Sequence, residues 1–260
     1  MLQRIITAVV ALVVLGVVFF VLPPVAVHIT LALIIVAGAW EWSGFLGGKS
    51  LPVRLVYVAL IAGLLAAMVL FFDAYSEQVL LASLLWWSAA LIWILFYPTP
   101  IPQVVRWFAG VFTLVPLYIA LVALYEMDLM ILIFALLVIW VADSGAYLAG
   151  RTLGRVKLAP QVSPGKTWEG VIGGFVAVAL LVWIRSFYVE TDLMALIPFC
   201  LAAAALSIVG DLTVSMFKRT AGVKDSGRLF PGHGGVLDRI DSVSAAAPLF
   251  ALGISWGVVA

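Results

Sequence analysis

Nine apolar stretches of about twenty residues each occupy most of this 260-residue chain. A helix that crosses a bilayer needs about 20 mostly apolar residues, because backbone polar groups cannot stay unpaired in lipid. Charged residues make up 10% of the chain, against about 25% in soluble domains, and the mean hydropathy is +1.24. The sequence therefore predicts an all-α, polytopic integral membrane protein with about nine transmembrane helices. The segments lie at roughly 5–22, 25–46, 53–72, 78–97, 104–124, 129–149, 168–189, 193–210 and 243–260.

The basic residues are distributed unevenly over the ends of these segments. If the amino terminus is cytoplasmic, 13 of the 14 Lys and Arg residues fall on the cytoplasmic side and Arg185 alone falls outside. This segregation follows the positive-inside rule and would be scrambled by a miscount of one helix. We therefore expect a cytoplasmic amino terminus, an external carboxyl terminus and a multi-pass protein of the cell's inner (plasma) membrane. The thirteen are Arg4, Lys49, Arg54, Arg106, Arg151, Arg155, Lys157, Lys166, Lys218, Arg219, Lys224, Arg228 and Arg239.

Two polar connections, 150–167 and 211–242, are longer than the others, and both are predicted to be cytoplasmic. Because functional residues concentrate in loops that a rigid scaffold positions, we expect the active site there, facing the cytoplasm. The chain accordingly divides into N-terminal transmembrane helices, 1–100, and a catalytic transmembrane region, 101–260. The single cysteine, Cys200, excludes a disulfide framework and a zinc cluster, and nothing resembles a nucleic-acid-binding surface.

The second connection combines carboxylates with basic residues. At 3.6 residues per turn, Asp211, Ser215 and Lys218 share one face of a helix that continues the preceding apolar segment. Asp238 and Asp241 lie three residues apart at the start of the last helix. Aspartates hold a hard cation such as Mg²⁺ and bases neutralise phosphates, so the mixture indicates a site for a metal and a polyphosphate. The alternative is a solvated loop whose bases only follow topology or contact anionic lipid, although an acid at membrane depth is costly and functional by default.

The first connection offers a further carboxylate and several phosphate-binding candidates. Asp143 stands near the inner end of an apolar helix, where a structural helix pairing is the alternative to a functional role. The "PGKT" run at 164–167 is not a phosphate-binding loop, because Pro160 occupies a place where that motif requires glycine. Side chains that can still donate to a phosphate, beside the positive end of the next helix, are Ser163, Lys166 and Thr167.

Three isolated titratable residues need separate interpretation, and two of them leave their roles open. His233, among glycines, can act as an acid or base or donate to a phosphate oxygen. Glu41, between two tryptophans, is either a membrane-interface residue or reaches the site. We interpret His28, near the outer end of the second helix, as structural.

The stretch "SMFKRTAGVKDSGRLFPGHGGVLDRID", from Ser215 to Asp241, resembles the signature of the phosphatidate cytidylyltransferases, also called CDP-diacylglycerol synthases. "ADSGAYLAGRTLGR" and "SPGKTWEG" also resemble family segments, although family members usually have a basic residue where Gly165 stands. Residues 1–100 resemble the family only as a series of hydrophobic helices. The matching positions of the signature are Ser215, Lys218, Arg219, Lys224, Asp225, Gly227, Phe230, Pro231, His233, Gly234, Gly235, Asp238, Arg239 and Asp241.

The resemblance implies a polytopic enzyme that joins CTP to phosphatidic acid and forms CDP-diacylglycerol and pyrophosphate. It implies Mg²⁺ coordination by Asp211 and Asp238, supported by Asp143 and Asp241, and it leaves room for a second cation such as K⁺ and for a homodimer. The groups expected to hold the triphosphate or lipid phosphate are Lys166, Lys218, Arg219 and Lys224. The expected hydrogen-bond donors are Ser163, Thr167, Ser215 and His233. Completing the expected catalytic set beside Asp211 and Asp238 are Lys224, Asp225 and Arg239.

The residues suit such a reaction for physical reasons too. Two anions must meet, so a cation and basic side chains must suppress their repulsion. A phosphomonoester has a second pKa of about 6 and is already largely ionised, so no dedicated general base is needed. The acyl chains can stay in the membrane lipid while the headgroup meets CTP at the inner surface.

Two other functions compete with this one. A CTP-dependent kinase acting on a polyprenol or diacylglycerol needs the same metal, nucleotide and membrane site, but attacks the γ-phosphorus. A cation-coupled transporter would instead place its carboxylates near the middle of the bilayer.

Overall fold

The structure, a computed structural model, describes residues 2–47, 50–227, 229 and 234–257. Helices dominate it, with one short 3₁₀ turn at Ser43–Phe45 and a two-stranded hairpin. The helices are α1 (Leu2–Phe20), α2 (Pro24–Trp42), α3 (Leu51–Leu95), α4 (Gln103–Met127), α5 (Leu129–Leu153), α6 (Trp168–Arg185), α7 (Leu193–Thr220) and α8 (Leu237–Ser255). The strands are β1 (Lys157–Ala159) and β2 (Ser163–Thr167).

Seven helical stretches of the described part of the chain are long and apolar enough to cross a membrane. They confirm an all-α polytopic membrane protein. The total of nine helices and the sides of the two termini stay predictions. The seven stretches are Pro24–Phe45, Leu51–Phe72, Ala74–Leu95, Gln103–Met127, Leu129–Leu153, Trp168–Arg185 and Leu193–Thr220.

The long helix α3 contains two of these stretches. The sequence indicates separate segments there, 53–72 and 78–97, and the structure joins them through a helical connection with non-helical angles at Phe71 (φ −123°, ψ 21°). At 1.5 Å per residue a straight helix of 45 residues would be about 68 Å long, well over twice the thickness of a bilayer core. The kink at Phe71 therefore divides α3 into two spans.

The first long polar connection contains more regular structure than the sequence predicts, whereas the second agrees with the predicted continuation of one helix and start of the next. In 150–167, α5 continues to Leu153, and β1 and β2 then pair antiparallel, with Lys157 opposite Thr167 and Ala159 opposite Ser163. In 211–242, α7 continues to Thr220 and α8 begins at Leu237. Apolar content marks only the part of a helix that contacts lipid or core, so it does not reveal the polar extension of α5 to Leu153.

Small residues bring α5 and α6 into close contact. A Cβ atom added to Gly145 would lie 2.7 Å from Cβ of Ala177, and one added to Gly174 would lie 2.8 Å from the carbonyl oxygen of Ala142. Glycine lets helix backbones approach closely where there is no hydrophobic force between helices in lipid. The hairpin that links α5 to α6 is therefore held at the end of a rigid helix pair.

A similar close approach fixes α7 against α8. A Cβ atom on Gly210 would lie 2.9 Å from Cβ of Ala245 and would collide with the carbonyl oxygen of Asp241. Asp211, the next residue, is therefore held at the level of the first turns of α8. The 3.6-residue repeat of each helix then decides which side chains meet between them.

Candidate active site

A cavity of about 670 Å³ lies where the hairpin, α5, α6, α7 and α8 meet. It gathers predicted site residues from stretches of chain that are almost 100 positions apart. Asp143 and Asp241 mark the ends of that interval. The predicted residues that line the cavity are Asp143, Ser163, Lys166, Thr167, Asp211, Lys218, Asp225, Asp238, Arg239 and Asp241.

Lys166 connects the hairpin to α7. Its Nζ atom lies 2.7 Å from Oδ2 of Asp211, and both side chains are partly exposed to the cavity. Ser215, one turn further along α7, donates from Oγ to Oδ1 of Asp211 at 3.2 Å. Each oxygen of Asp211 thus has one partner, and the face predicted from the spacing of 211, 215 and 218 is the face that meets the cavity.

Lys218 connects α7 to α8. Its Nζ atom lies 2.8 Å from Oδ1 of Asp238 and 4.0 Å from Oδ2 of Asp241. The lysine is 8% exposed and Asp241 is 7% exposed. Burial of a charge is costly unless the charge is paired. The ammonium between two carboxylates therefore offsets part of the desolvation cost of all three groups.

Asp238 also organises the segment that precedes α8. Its Oδ2 atom accepts hydrogen bonds from the Ser226 amide (3.0 Å), the Ser226 hydroxyl (2.9 Å) and the Gly235 amide (2.8 Å). Burial alone would raise the pKa of Asp238, but the hydrogen bond from Lys218, the bond from the Gly235 amide and the positive charge of Lys218 lower the pKa below its usual range. Asp238 is therefore an anion that holds Ser226 and Gly235 in front of α8.

Asp241 has the opposite electrostatic environment. Burial raises its pKa well above the usual range, and the negative charge of Asp211 adds to the effect, while Lys218 opposes it. Neighbouring carboxylates with pKa values shifted in opposite directions are typical of functional sites. Asp241 therefore holds a proton more readily than Asp238 does.

The donor set fits a magnesium ion in its chemistry. The cavity offers carboxylate oxygens from α5, α7 and α8, and oxygen is the ligand that Mg²⁺ prefers. Within the described residues, no three acidic, histidine or cysteine side chains form a ready-made metal cluster. Mg²⁺ in nucleotide enzymes is usually held by one or two carboxylates plus phosphate oxygens and water, so a preformed cluster of three is not required.

Three predicted phosphate-binding residues have other contacts or positions. Thr167 is buried and its hydroxyl caps α6 by accepting from the Gly170 amide at 3.2 Å. Arg219 donates from Nε to the Val162 carbonyl oxygen at 3.3 Å and so ties α7 to the hairpin. Lys224 is exposed on the segment after α7, outside the cavity lining. His233 lies outside the described residues.

Glu41 is the residue whose role, at the membrane interface or in the site, the sequence leaves open. Its carboxylate accepts from the Ser226 hydroxyl at 2.8 Å, the Val236 amide at 3.0 Å and the Leu237 amide at 2.8 Å. The available signal was an acidic residue at the inner end of an apolar helix, and a partner 185 positions away cannot be read from local spacing. Of the two interpretations of Glu41, the structure supports contact with the site.

Tyr147 and Arg151 are cavity residues that the sequence interpretation did not assign to the site. An Nη atom of Arg151 lies 3.0 Å from the Tyr147 hydroxyl, and both side chains line the cavity. The signal was present, because Asp143, Tyr147 and Arg151 are four residues apart and share one face of α5. From the sequence, Arg151 is interpreted only as one of the basic residues on the cytoplasmic side of the membrane.

Comparison with known proteins gives matches along nearly the whole chain. A model described as the cytidylyltransferase family matches residues 2–256. A phosphatidate cytidylyltransferase of Pseudomonas aeruginosa is 41% identical over 267 residues, covering 98% of this chain and 98% of the relative. One of Haemophilus influenzae is 35% identical over 281 residues, with 95% and 96% covered. These matches include the N-terminal helices, where sequence motifs alone gave only weak evidence.

Proposed function

The chain belongs to the cytidylyltransferase family, and from this membership we propose that it transfers CMP from CTP to phosphatidic acid, giving CDP-diacylglycerol and pyrophosphate. It is a nucleotidyltransferase of phospholipid biosynthesis. Its two substrates, CTP and phosphatidic acid, both carry phosphates, so the site must hold two anions close together.

One observation of the structure carries this function: two lysines stand among the carboxylates of a single cavity. Lys166 pairs with Asp211, and Lys218 lies between Asp238 and Asp241. A site of this kind supplies positive charge for phosphates and carboxylates for a metal within one cavity. In an environment where water is partly excluded, such charges act more strongly than they do in solution.

The reaction needs positioning more than proton transfer. An ionised oxygen of phosphatidic acid forms a bond to the α-phosphorus of CTP, and the bond from that phosphorus to the oxygen bridging to the β-phosphorus breaks, so the electron pair leaves with pyrophosphate. Lys166 and Lys218 turn from their carboxylates to phosphate oxygens and neutralise the meeting anions. Ser163, Ser215 and His233 donate hydrogen bonds, and Thr167, Arg219, Lys224, Asp225 and Arg239 complete the binding surface.

We assign the magnesium ligands to Asp211 and Asp238, with Asp143 and Asp241 as supporting carboxylates. Mg²⁺, when bound, neutralises phosphate charge and polarises the phosphoryl oxygens. The ion would share with Lys166 and Lys218 the positive charge that balances these carboxylates. A second cation such as K⁺ and a homodimer stay predictions.

The lipid enters from the bilayer, and its phosphate meets CTP at the cytoplasmic face of the inner (plasma) membrane. Tyr147 lines the cavity and is 62% exposed, and Trp168 at the start of α6 is 53% exposed. Amphipathic aromatic rings favour the membrane–water boundary, and this preference supports a cavity at headgroup depth. The acyl chains can then remain in lipid throughout the reaction.

Labelled CTP tests this function against the two alternatives. Purified protein is incubated with phosphatidic acid, diacylglycerol or polyprenol and with α- or γ-labelled CTP. We expect α-label in the lipid product and γ-label in pyrophosphate, with phosphatidic acid as acceptor. Transfer of γ-label to diacylglycerol or polyprenol would indicate the CTP-dependent kinase. No transfer of either label, with cation uptake by reconstituted vesicles, would indicate the transporter.

A further inference from the structure

Glu41 reaches the active-site segment from a part of the chain that precedes the catalytic region. The segment between α7 and α8 is described at 221–227, 229 and 234–236, and here it is called the interhelical segment. Glu41 stands in the last turn of α2 and binds both ends of this segment, through Ser226 on one side and through Val236 and Leu237 on the other. One carboxylate therefore ties residues on both sides of this segment to the end of α2.

The end of α2 that carries Glu41 is itself fixed. Trp42 is fully buried, and its indole nitrogen donates to the Arg106 carbonyl oxygen at 2.9 Å. Its ring lies 5.0 Å, between centroids, from that of Phe217 on α7. The anchor is thus rigid, which a residue that positions a catalytic group requires.

Glycines in the interhelical segment leave room for the Glu41 carboxylate. A Cβ atom on Gly227 would collide with Oε1 of Glu41, and one on Gly235 would collide with both carboxylate oxygens. Both glycines belong to the signature run, so that run is fitted to an acidic group from α2 as well as to substrates. A lipid-interface role for Glu41 would not require this fit.

Ser226 links Glu41 to Asp238. Its hydroxyl lies 2.8 Å from Oε2 of Glu41 and 2.9 Å from Oδ2 of Asp238, and its amide donates to the same Oδ2 atom. A hydroxyl has one hydrogen, so it donates to one carboxylate at a time and is shared between them. Movement of Ser226 would therefore move the hydrogen bonds that orient Asp238.

We propose that Glu41 is a positioning residue for cytidylyl transfer: it fixes Ser226 and the start of α8 and, through Ser226, holds the Asp238 carboxylate in its working orientation. The inference rests on the proposed function. Partners that orient a metal ligand commonly change affinity or rate by about 10–100-fold when they are removed, and a displacement of about 1 Å can have an effect at the upper end of that range. Glu41 itself touches no reacting atom.

The test compares Glu41→Ala, Glu41→Gln and the matched control Glu126→Gln in purified full-length protein. Glu126 is also a helix-end acid with a basic partner, but its Oε1 lies 3.4 Å from Nε2 of His28, in the half of α2 that is far from Glu41. Gln can still accept two of the three hydrogen bonds, whereas Ala accepts none. We expect kcat to fall about 100-fold in Glu41→Ala and about 10-fold in Glu41→Gln, with little change in the KM for CTP, and Glu126→Gln to match the wild type.

Hydrogen–deuterium exchange separates positioning from general destabilisation. We expect faster exchange confined to 223–237 in both Glu41 variants, with unchanged protection of α4 and α5. In a double-mutant cycle, the variant that carries both Glu41→Ala and Ser226→Ala should lose no more activity than Glu41→Ala alone. Wild-type kcat and exchange in Glu41→Gln would overturn the proposal, as would fully additive losses. If Glu41→Ala does not fold, the proposal is tested with Glu41→Gln and with the double-mutant cycle of Glu41→Gln and Ser226→Ala. Failure of wild-type protein to move α-label would refute the proposed function instead.

Discussion

The ammonium of Lys166 lies 2.7 Å from a carboxylate oxygen of Asp211, and this contact joins the hairpin between α5 and α6 to the C-terminal half of α7. The two residues are 45 positions apart and lie on different elements, so their contact depends on tertiary packing. Their pairing brings the "SPGKT" strand and the face of α7 into one site. It also gives Asp211 a cationic partner that substrate can compete for.

Replacement of Lys166 by alanine should therefore impair the reaction more than the fold. We expect kcat/KM to fall about 10²-fold, the effect typical of the loss of one group that stabilises a developing anion. Lys157 on β1 gives a matched control, because it is an exposed lysine of the same hairpin that does not line the cavity. Lys157→Ala should retain activity within about twofold, as exposed substitutions usually do. Equal losses in the two variants would show that the hairpin's total charge matters and the Lys166 contact does not.

Lys218 should contribute to stability as well as to activity. Its replacement by methionine leaves two buried carboxylates without their ammonium, which costs about 3 kcal/mol of unfolding free energy and lowers Tm by roughly 10 °C in a chain of this size. Thermal unfolding in detergent measures the shift. Adding Asp238→Asn to Lys218→Met should recover at least about 1 kcal/mol, because the uncompensated charge is removed. Strictly additive losses would mean that the pair has no energetic coupling.

The metal assignment predicts a specific response to chelation. We expect EDTA to abolish transfer of α-label and Mg²⁺ to restore it, and Asp211→Asn to raise the Mg²⁺ concentration for half-maximal rate by at least about tenfold. Glu77→Gln, at an exposed acid of α3 far from the signature in sequence, should leave the Mg²⁺ curve unchanged. Full activity in EDTA would remove Mg²⁺ from the mechanism, and an unaltered curve for Asp211→Asn would remove Asp211 from the ligands.

Local periodicity was sufficient for the part of the site that lies on single helices. The four- and three-residue steps from Asp211 to Ser215 and Lys218 predicted one face, and that face lines the cavity. The step from Asp238 to Asp241 likewise predicted a shared side, and Lys218 lies near both. These predictions succeed because helix geometry depends only on nearby residues.

Contacts between elements that are distant in the chain could not be predicted from local spacing. Glu41 meets Ser226 only because α2 packs beside the start of α8, and no spacing in the sequence records that neighbourhood. The roles of Thr167 and Arg219 show the same limit, since one caps α6 and the other binds the Val162 carbonyl oxygen. Their predicted phosphate contacts stay predictions. Residue chemistry indicates what a side chain can bind, whereas tertiary packing decides what it meets.

Close packing of α5 on α6 predicts a graded effect of glycine substitutions. Gly145→Ala should destabilise the protein by about 1–3 kcal/mol, because the new methyl group would lie 2.7 Å from the Ala177 side chain and would push the helices apart. Gly63 on α3 is the matched control, with nothing within 4 Å of its added Cβ atom, so Gly63→Ala should not lower Tm. Activity of Gly145→Ala should fall with stability, since Asp143 and the hairpin are carried by this helix pair. Equal thermal stability of the two variants would show that the helix pair tolerates separation.

The orientation of the site can be determined with single cysteines on the two sides of α6. Lys157 is exposed in the hairpin before α6, and Glu190 is exposed in the connection after it, so a span at 168–185 puts them on opposite faces. Cys200 is fully buried, so the wild-type chain should supply only a low labelling background. In spheroplasts, a membrane-impermeant maleimide should label Glu190→Cys at once and Lys157→Cys only after lysis, because the positive-inside rule assigns the hairpin to the cytoplasm. Labelling of Lys157→Cys before lysis would place the cavity outside, where CTP is absent, and would contradict the proposed topology.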